Sequence, residues 1–525
     1  MHEHRLARSI STEFSSFDVD FSIFHFLAGN ESFNIPAIHR CFSLARSISC
    51  NHKSMVLEQL DPAGEGIILE ENNAMKIAFC DYCCKALIRI SFWQKPVEEV
   101  QHLNISSDDL IGYLIIKHDI SKIADINRSH VFEAVFPKYD HPHNCSHDER
   151  KYQIRVGEKL FDANGVIFCQ QNSVFKCCAH VALFSILSLF EQDKEISFAK
   201  MNEIAGIVPP NTGLGPEAIQ KILRYYGIDF CDIDYDEAEK KNPRIKEQIP
   251  FQRLAYAGIE SGGGALVGFS LEQQNINPPE RHMIPFFGHT FNKDTWVPHA
   301  DISYFRVSSS LRYIPSDSWT SSFIGHDDNF GANFCIPKLY IQKEKVNYAV
   351  EIFRPGVKYS GLIAEAYSVQ FLYSAIAGCT CFENNFWFNV LKEAVSQKNI
   401  ILRAIALKKE DYFSSLLTVA GARDKSVMDT VRDAWPDVFW ITEISLPQLF
   451  SANEEKIGEI IMDATEIPDD PNRYSCFLAA RLPGLWFFCE KEDASPKFSY
   501  LPSDIKGHIH NFTTFSPISP LCIAN

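Results

Sequence analysis

The stretch GVIFCQQNSVFKCCAHVALFSILSLF constrains the fold more than any other part of the chain. Its last part, residues 178–190, contains no charged side chain and is apolar on all sides of a helix. A helix without a polar face belongs in the centre of a fold. A short apolar strand, residues 166–169, and a polar turn, residues 170–173, come before it. We therefore predict a strand, a turn and a buried helix that begins at two cysteines, Cys177 and Cys178.

Cysteines at the start of a helix have a chemical consequence. Free backbone N–H groups and the helix dipole at that end stabilise a thiolate, and Gln171, just upstream, can donate a side-chain N–H into the same space. An activated sulfur and a donor aimed at a developing oxyanion are what a thiol acyl-transfer site needs. The alternative is a core helix that happens to begin with cysteines, because free cysteine is among the most buried residue types.

Charge and composition exclude several classes of protein. The 525 residues include 50 basic and 66 acidic side chains, for a net charge of −16, so a general binder of nucleic acid or of anionic membranes is not expected. The longest apolar run, residues 179–190, is about half of what a membrane-spanning helix needs, and no secretory signal is visible. Sixteen cysteines without a regular framework suit a reducing compartment. We expect a cytoplasmic protein without a cofactor; the sequence does not indicate its oligomeric state.

The length allows about two to four domains. Residues 1–150 are mixed and β-leaning, with strand-like segments at residues 66–72 and 85–93. Residues 151–340 contain the stretch described above and form the second region. Residues 341–525 alternate helices and strands in the manner of a small α/β unit. The sequence gives no role to the first or the third region.

Potential metal ligands occur at two places in the first region. Cys80 and Cys83 form a CxxC pair, which is the spacing of one half of a zinc site. The second group lies much further along the chain and comprises His141, His143, Cys145 and His147. Cys80 and Cys83 also have the apolar surroundings of core residues, so a zinc site and a plain core both remain open.

In the second region, a histidine and a carboxylate follow the cysteines on predicted strands. Residues 282–288 are predicted as one strand, which contains His282, and residues 321–327 as another, which ends at Asp327. A thiolate nucleophile needs a base within hydrogen-bond reach, and the imidazole needs a third group that fixes its tautomer. The functional groups thus follow one another as Gln, Cys, His and Asp.

This order resembles that of papain-like cysteine peptidases, and over residues 150–340 it is most similar to the compact bacterial peptidases that cut double-glycine leaders. Gln171 precedes the cysteine pair by six or seven residues, as the oxyanion glutamine does in papain-like enzymes. The helix predicted after Pro216 and the spacing from His282 to Gly288 also resemble that family. The resemblance implies an α+β fold in which a papain-like core, a central helix packed on an antiparallel sheet, is flanked by the β-rich N-terminal and the α/β C-terminal regions.

Several site assignments stay open. The spacing from Gln171 favours Cys177 as nucleophile, whereas the downstream pattern C-x-x-x-A-L favours Cys178, which we prefer. His282 is preferred to His289, because Gly288 is expected to end the strand and the two histidines are expected to point to opposite faces of it. The acid of the resembling family follows its histidine closely, so Asp327 would lie beyond an insertion; the other candidates are Asp328, Asp301 and Asp294.

We expect a thiol-dependent hydrolase that acts on a peptide or isopeptide bond of a protein or peptide substrate. Cys178 would be the nucleophile, His282 the base, Asp327 the group that orients the imidazole, and Gln171 an oxyanion donor. A transglutaminase-like or amidase-like acyl transferase would use the same groups with a different acceptor. A catalytically inactive papain-fold protein with a binding or regulatory role is the alternative from another class.

Overall fold

The structure is a computed structural model, and all structural statements concern the residues that it describes. These are residues 9–13, 35–48, 54–62, 67–97, 105–138, 144–146, 150–171, 177–190, 194–208, 213–271, 280–291, 301–302, 311–378, 385–420, 432–453, 455–468, 475–483, 485–490, 497–502 and 512–513. Helices and strands both contribute substantially, which agrees with the α+β class. Among the described helices, none has the length and apolar composition that crossing a membrane requires.

The elements are numbered in chain order. The strands are β1 (Ser9–Glu13), β2 (Ser54–Gln59), β3 (Cys83–Trp93), β4 (Leu110–Ser121), β5 (Ile126–Phe136), β6 (Asn144–Ser146), β7 (Arg150–Val156), β8 (Lys159–Phe168), β9 (Phe230–Asp234), β10 (Gly264–Leu271), β11 (Glu280–Phe291), β12 (Asp301–Ile302), β13 (Arg312–Pro315), β14 (Thr320–Asp327), β15 (Gly331–Pro337), β16 (Val346–Ile352), β17 (Ile401–Lys408), β18 (Val438–Ser445), β19 (Glu455–Lys456), β20 (Gly458–Asp463), β21 (Phe477–Leu482), β22 (Leu485–Glu490), β23 (Lys497–Pro502) and β24 (Phe512–Thr513). The α-helices are α1 (Ile35–Ile48), α2 (Ile67–Ala78), α3 (Cys178–Leu187), α4 (Phe198–Ala205), α5 (Pro216–Tyr225), α6 (Tyr235–Lys241), α7 (Ile245–Gln248), α8 (Phe251–Glu260), α9 (Gly361–Gly378), α10 (Phe386–Ser396), α11 (Lys409–Ala420) and α12 (Pro447–Asn453). Short 3-10 helices lie at Ser107–Asp109, Ser316–Trp319 and Lys343–Lys345.

Three large sheets organise most of these elements, and β19 and β24 form a separate two-stranded sheet. The first has the strand order β1-β2-β3-β4-β5-β8-β7. The second has the order β15-β14-β11-β10-β16-β9, and β6 also pairs with β11; all its pairs are antiparallel. The third has the order β12-β13-β17-β18-β20-β21-β22-β23. Its described pairs are antiparallel except β13 with β17. The assignment of residues 341–525 as a small α/β unit stays a prediction.

Sheet membership crosses the predicted region boundaries at residues 150 and 340. β7 and β8 come after residue 150 but complete the first sheet, and β16 comes after residue 340 but lies between β10 and β9 in the second sheet. β12 and β13 precede residue 340 and belong to the third sheet. At each boundary, strands from both sides therefore belong to the same sheet.

The predicted apolar helix is α3, and its environment explains why it has no polar face. α3 packs against β11 and β10 of the second sheet and against β8 of the first. Its apolar side chains share one core with residues of both sheets. Its one histidine, His180, is buried and meets the Oδ1 of Asn202 in α4 at 2.9 Å from its Nε2. A helix enclosed in this way has no solvent side on which polar residues would be useful.

One local prediction in the first region is wrong. Residues 66–72 were expected as a strand, but α2 occupies residues 67–72 and continues to Ala78; its buried Asn72 and Met75 are three residues apart, as on one face of a helix. Residues 150–168 form the hairpin of β7 and β8. The chain turns at Gly157, which has a φ of 59° and so adopts the left-handed conformation that glycine tolerates.

Candidate active site

Cys178 is the first residue of α3, at the end where backbone N–H groups are free. Its side chain is partly exposed and lines a cleft. The thiol and the imidazole of His282 line the same cleft, and their interaction raises the pKa of the imidazole; the Sγ of Cys178 lies 3.8 Å from the backbone carbonyl oxygen of Arg281. The structure therefore brings the preferred cysteine and the preferred histidine together.

His282 lies near the start of β11 and is 4% exposed. Its Nε2 is 3.2 Å from Oδ1 of Asp328 and 3.5 Å from Oδ1 of Asp327. The side-chain amide of Asn329 also lies beside this nitrogen, at 3.4 Å. These contacts all involve Nε2; Nδ1 is the other ring nitrogen.

The acidic groups come from the turn between β14 and β15. Asp327 ends β14, and its Oδ1 accepts a hydrogen bond of 2.9 Å from the backbone N–H of Asn329. Asp327 and Asp328 are each 5% exposed. The sequence singled out Asp327 and kept Asp328 as an alternative; the structure places both beside the imidazole. Asn329 was not proposed, although its position next to two candidate acids could have suggested it.

The electrostatics of the site favour a charged imidazole. Burial lowers the pKa of His282, but the hydrogen bonds with Asp327 and Cys178 and the negative charges of both aspartates raise it to about 10 overall. Burial raises the pKa of Asp328 to about 6, and the Asp327 charge adds to this while His282 opposes it. The site can therefore hold a proton on the imidazole next to a sulfur.

α1 contacts β15 just after the turn that carries the acids. The Nε of Arg40 donates to the carbonyl oxygen of Ala332 at 3.0 Å, its Nη2 donates to that of Asn333, and its guanidinium lies 4.5 Å from the centre of the Phe334 ring. Gly331, with a φ of 124°, leaves no space for a Cβ, which would lie 2.9 Å from the Cβ of Arg40. The N-terminal region thus contacts the second sheet directly behind the candidate acids.

His289 lies at the other end of β11 and has different partners. It is completely buried, its Nε2 is 2.8 Å from Oε1 of Glu260, and it is hydrogen-bonded to the thiol of Cys145. Burial lowers the pKa of His289, but Cys145 and Glu260 raise it to about 9. The ring of Tyr256 lies 4.7 Å from the imidazole.

The reason given for preferring His282 to His289 is only partly right. Gly288 does not end the strand, since β11 continues to Phe291. Strict alternation is interrupted, because the pairing with β14 shifts register between Phe286 and Gly288. Gly288 is needed for another reason: a Cβ there would lie 2.9 Å from the carbonyl oxygen of Cys145 in β6. The two histidines are separated by their positions along the strand.

The other predicted site residues are Gln171, Cys177, Asp301 and Asp294, and they lie in different parts of the chain. Gln171 is partly buried and makes no hydrogen bond to a described residue; its role as oxyanion donor stays a prediction. Its neighbour Gln170 is buried and accepts a hydrogen bond of 2.9 Å from the backbone N–H of Val131. Cys177 precedes α3 as its N-cap and interacts electrostatically with Arg128. Asp301 lies in β12 of the third sheet, and Asp294 lies outside the described residues.

Of the proposed zinc ligands, the three that the structure describes, Cys80, Cys83 and Cys145, are not brought together. Cys80 and Cys83 are exposed, whereas Cys145 is buried beside His289 and Glu260. Both clusters of three possible ligand atoms found among the described residues exclude Cys80 and Cys83. His141, His143 and His147 lie outside the described residues.

The cleft in front of Cys178 has an apolar and an acidic part. Leu214, Pro216 and Ile219 line one part. Asp234, Asp236 and Glu237, together with Arg281, line another, and Arg281 is paired with Asp236 at 2.9 Å. A substrate group entering this cleft reaches both the sulfur and the imidazole.

A scan against models of protein families, a search of curated proteins and a search of solved structures each returned no match.

Proposed function

We propose that this protein is a thiol-dependent hydrolase that acts on a peptide or isopeptide bond, with a papain-like core formed by α3 and the second sheet. The observation that carries the proposal is that the Cys178 thiol, at the start of a buried helix, lines one cleft with the His282 imidazole and interacts with it, while the Nε2 of His282 lies 3.2 and 3.5 Å from Asp328 and Asp327. A nucleophile, a base and a group that orients the base are the parts that such a reaction requires.

The reaction proceeds in two stages. Cys178 and His282 share one proton, which lies on the imidazole, and the sulfur of Cys178 attacks the carbonyl carbon of the substrate. The imidazolium then gives the proton to the leaving amine, so the C–N bond breaks and a thioester remains. Water adds to the thioester with His282 as the base, and the acid product leaves as the thiol is restored. Gln171 is the proposed donor to the oxyanion that forms in both stages.

Alkylation of the thiol tests the proposal. In a Cys177→Ser background, iodoacetamide should modify Cys178 faster than the exposed Cys80, Cys83 and Cys335 of the same chain, measured by peptide mass spectrometry. His282→Gln should slow the modification of Cys178 at least about tenfold, because the imidazole no longer takes the proton. Equal rates for Cys178 and the exposed cysteines would contradict a thiol hydrolase and favour an inactive binding protein.

The choice between the two cysteines needs its own comparison. Cys178→Ala should remove labelling by an electrophilic peptide probe, whereas Cys177→Ala should keep most of it, because it is Cys178 that contacts His282. The opposite result would make Cys177 the nucleophile and support the spacing from Gln171.

A further inference from the structure

The His282 cluster has an unbalanced set of charges. One imidazole is surrounded by the carboxylates of Asp327 and Asp328, and all three side chains are at least nine-tenths buried. Neither carboxylate oxygen of Asp328 receives a hydrogen bond of ordinary geometry from a described residue. Buried carboxylates are normally compensated by cations or by several hydrogen bonds. The cluster is therefore short of positive charge.

The distances in the cluster are those between ligands of a metal ion. Zinc binds nitrogen and oxygen at about 2.0–2.1 Å, so ligands at tetrahedral angles lie roughly 3.3–3.5 Å apart. The Nε2 of His282 is 3.2 and 3.5 Å from the two carboxylate oxygens, whereas a charge-assisted hydrogen bond is about 2.7–2.9 Å long. The other buried cluster differs, because His289 and Glu260 are 2.8 Å apart, an ordinary hydrogen bond.

We propose that His282, Asp327 and Asp328 bind a divalent transition-metal ion, such as zinc or cobalt, through the Nε2 atom and one oxygen of each carboxylate. Imidazole and carboxylate together suit such ions. The ion supplies the missing positive charge and leaves a fourth position for water. His282 lines the cleft, which gives the ion a route to the site.

Metal binding would switch off the thiol chemistry, and this part of the inference rests on the proposed function. With the ion on Nε2, a neutral imidazole carries its proton on Nδ1. The ring then has no free lone pair on the side of Cys178 and cannot accept the thiol proton. The ion also removes Asp327 from its role of orienting the imidazole.

Titration with Co²⁺ in the presence of a reductant tests the metal site independently of activity. Wild-type protein should bind one equivalent at least about tenfold more tightly than Asp328→Asn, because one of three protein ligands is lost. Asp236→Asn is the matched control: Asp236 lines the same cleft but is exposed and paired with Arg281, so its affinity should equal that of the wild type. His282→Gln should weaken Co²⁺ binding at least as much as Asp328→Asn does. Thermal unfolding shows that each variant is folded.

The second measurement is alkylation of Cys178 in the Cys177→Ser background, with and without Zn²⁺. Zn²⁺ should slow it at least about tenfold in wild type and Asp236→Asn, and a chelator should restore the rate. Equal Co²⁺ affinity of wild type and Asp328→Asn overturns the metal site. If Co²⁺ binds as expected but Zn²⁺ does not slow the alkylation of Cys178, only the proposed inhibition is overturned. A Cys178 that reacts no faster than exposed cysteines without metal overturns the proposed function, and the Co²⁺ titration still decides the metal site.

Discussion

Two histidines of one strand differ in what surrounds them. His282 contacts the thiol of Cys178 and two aspartates beside a cleft, whereas His289 is enclosed with Glu260 and Cys145. Both hydrogen-bond a thiol and have a carboxylate nearby, so the pair of neighbours alone does not distinguish a reactive site from a buried one. Access to the cleft distinguishes the two sites, because Cys178 lines the cleft.

Replacement of each histidine by glutamine should therefore affect different properties. We expect His282→Gln to slow alkylation of Cys178 at least about tenfold with little change in the free energy of unfolding. His289→Gln should lower the free energy of unfolding by about 1–3 kcal/mol, because the buried Glu260 loses a charged partner, and should leave the alkylation rate of the folded protein nearly unchanged. Urea unfolding and alkylation kinetics measure the two properties, and the reverse pattern would show that His289 is the base.

The residues of the site could be found from the sequence because chemistry restricts them. A cysteine at a helix start, a histidine on a strand and an aspartate at a strand end are few in any chain. The choice among adjacent residues could not be made in this way: Asp327 and Asp328 both reach the imidazole, since the chain turns at that point and strand alternation no longer applies.

Among the elements, those with a clear period were predicted well. α5 has the expected type, because its buried apolar residues Ile219, Ile222 and Leu223 repeat with the period of a helix. Residues 66–72 were misassigned, since a window of a few apolar residues does not distinguish a strand from the first turns of α2. The register shift within β11 has no signal in the sequence.

α1 contacts β15 just after the turn that follows Asp327. We therefore expect Arg40 of α1 to affect the reactivity of Cys178. Arg40→Met keeps the apolar stem but removes the donors to two backbone carbonyl oxygens. We expect a loss of about 1–3 kcal/mol in the free energy of unfolding, because these acceptors lose their partner, and slower alkylation of Cys178, because the turn carries Asp327. Ser43→Ala, at an exposed position of α1, should change stability by no more than about 0.5 kcal/mol. Unchanged alkylation in Arg40→Met would show that the turn holds its shape without α1.

At the scale of the whole molecule, buried acids join the sheets and make stability depend on pH. Glu351 of β16 is fully buried at the start of α9, where it accepts hydrogen bonds from Ser360 Oγ at 2.6 Å and from the backbone N–H of Gly361 at 3.3 Å. Burial raises the pKa of Glu351 from 4.5 to about 8, although those hydrogen bonds oppose the shift. The nearby Glu365 has its pKa raised to about 7, also by burial.

Between pH 4.5 and 8 the folded chain therefore holds a proton on Glu351 that the unfolded chain releases. Stability should fall as pH rises through this window, and Glu351→Gln should make the dependence less steep by up to about 1.4 kcal/mol per pH unit. Glu393→Gln, on the exposed side of α10, should leave the slope as in the wild type. Urea unfolding at a series of pH values measures this, and identical slopes for wild type and Glu351→Gln would mean that Glu351 is ionised in the folded protein.

A chain of buried charges connects the second sheet to the third. Glu260, at the end of α8, meets Arg403 of β17 with Nη2–Oε distances of 3.0 and 3.1 Å. Arg403 lies 3.5 Å from Glu443, and Lys456 lies 2.8 Å from both Glu443 and Glu459. The register explains this order, because Arg403 pairs across the sheet with Glu443 and Glu443 with Glu459.

Arg403→Met should therefore lower the free energy of unfolding of the whole molecule and not only of the third sheet. Removal of one partner of a buried ion pair costs about 3–5 kcal/mol, because Glu260 and Glu443 would remain charged and buried; urea unfolding measures the loss. Arg432→Met, which breaks an exposed pair with Glu410, should cost less than about 1 kcal/mol. In the double variant Arg403→Met/Glu260→Gln the unpaired charge of Glu260 is also gone, so its loss should be clearly smaller than the sum of the two single losses. Additive losses would show that Glu260 and Arg403 act independently and that the third sheet is held to the second by its apolar contacts.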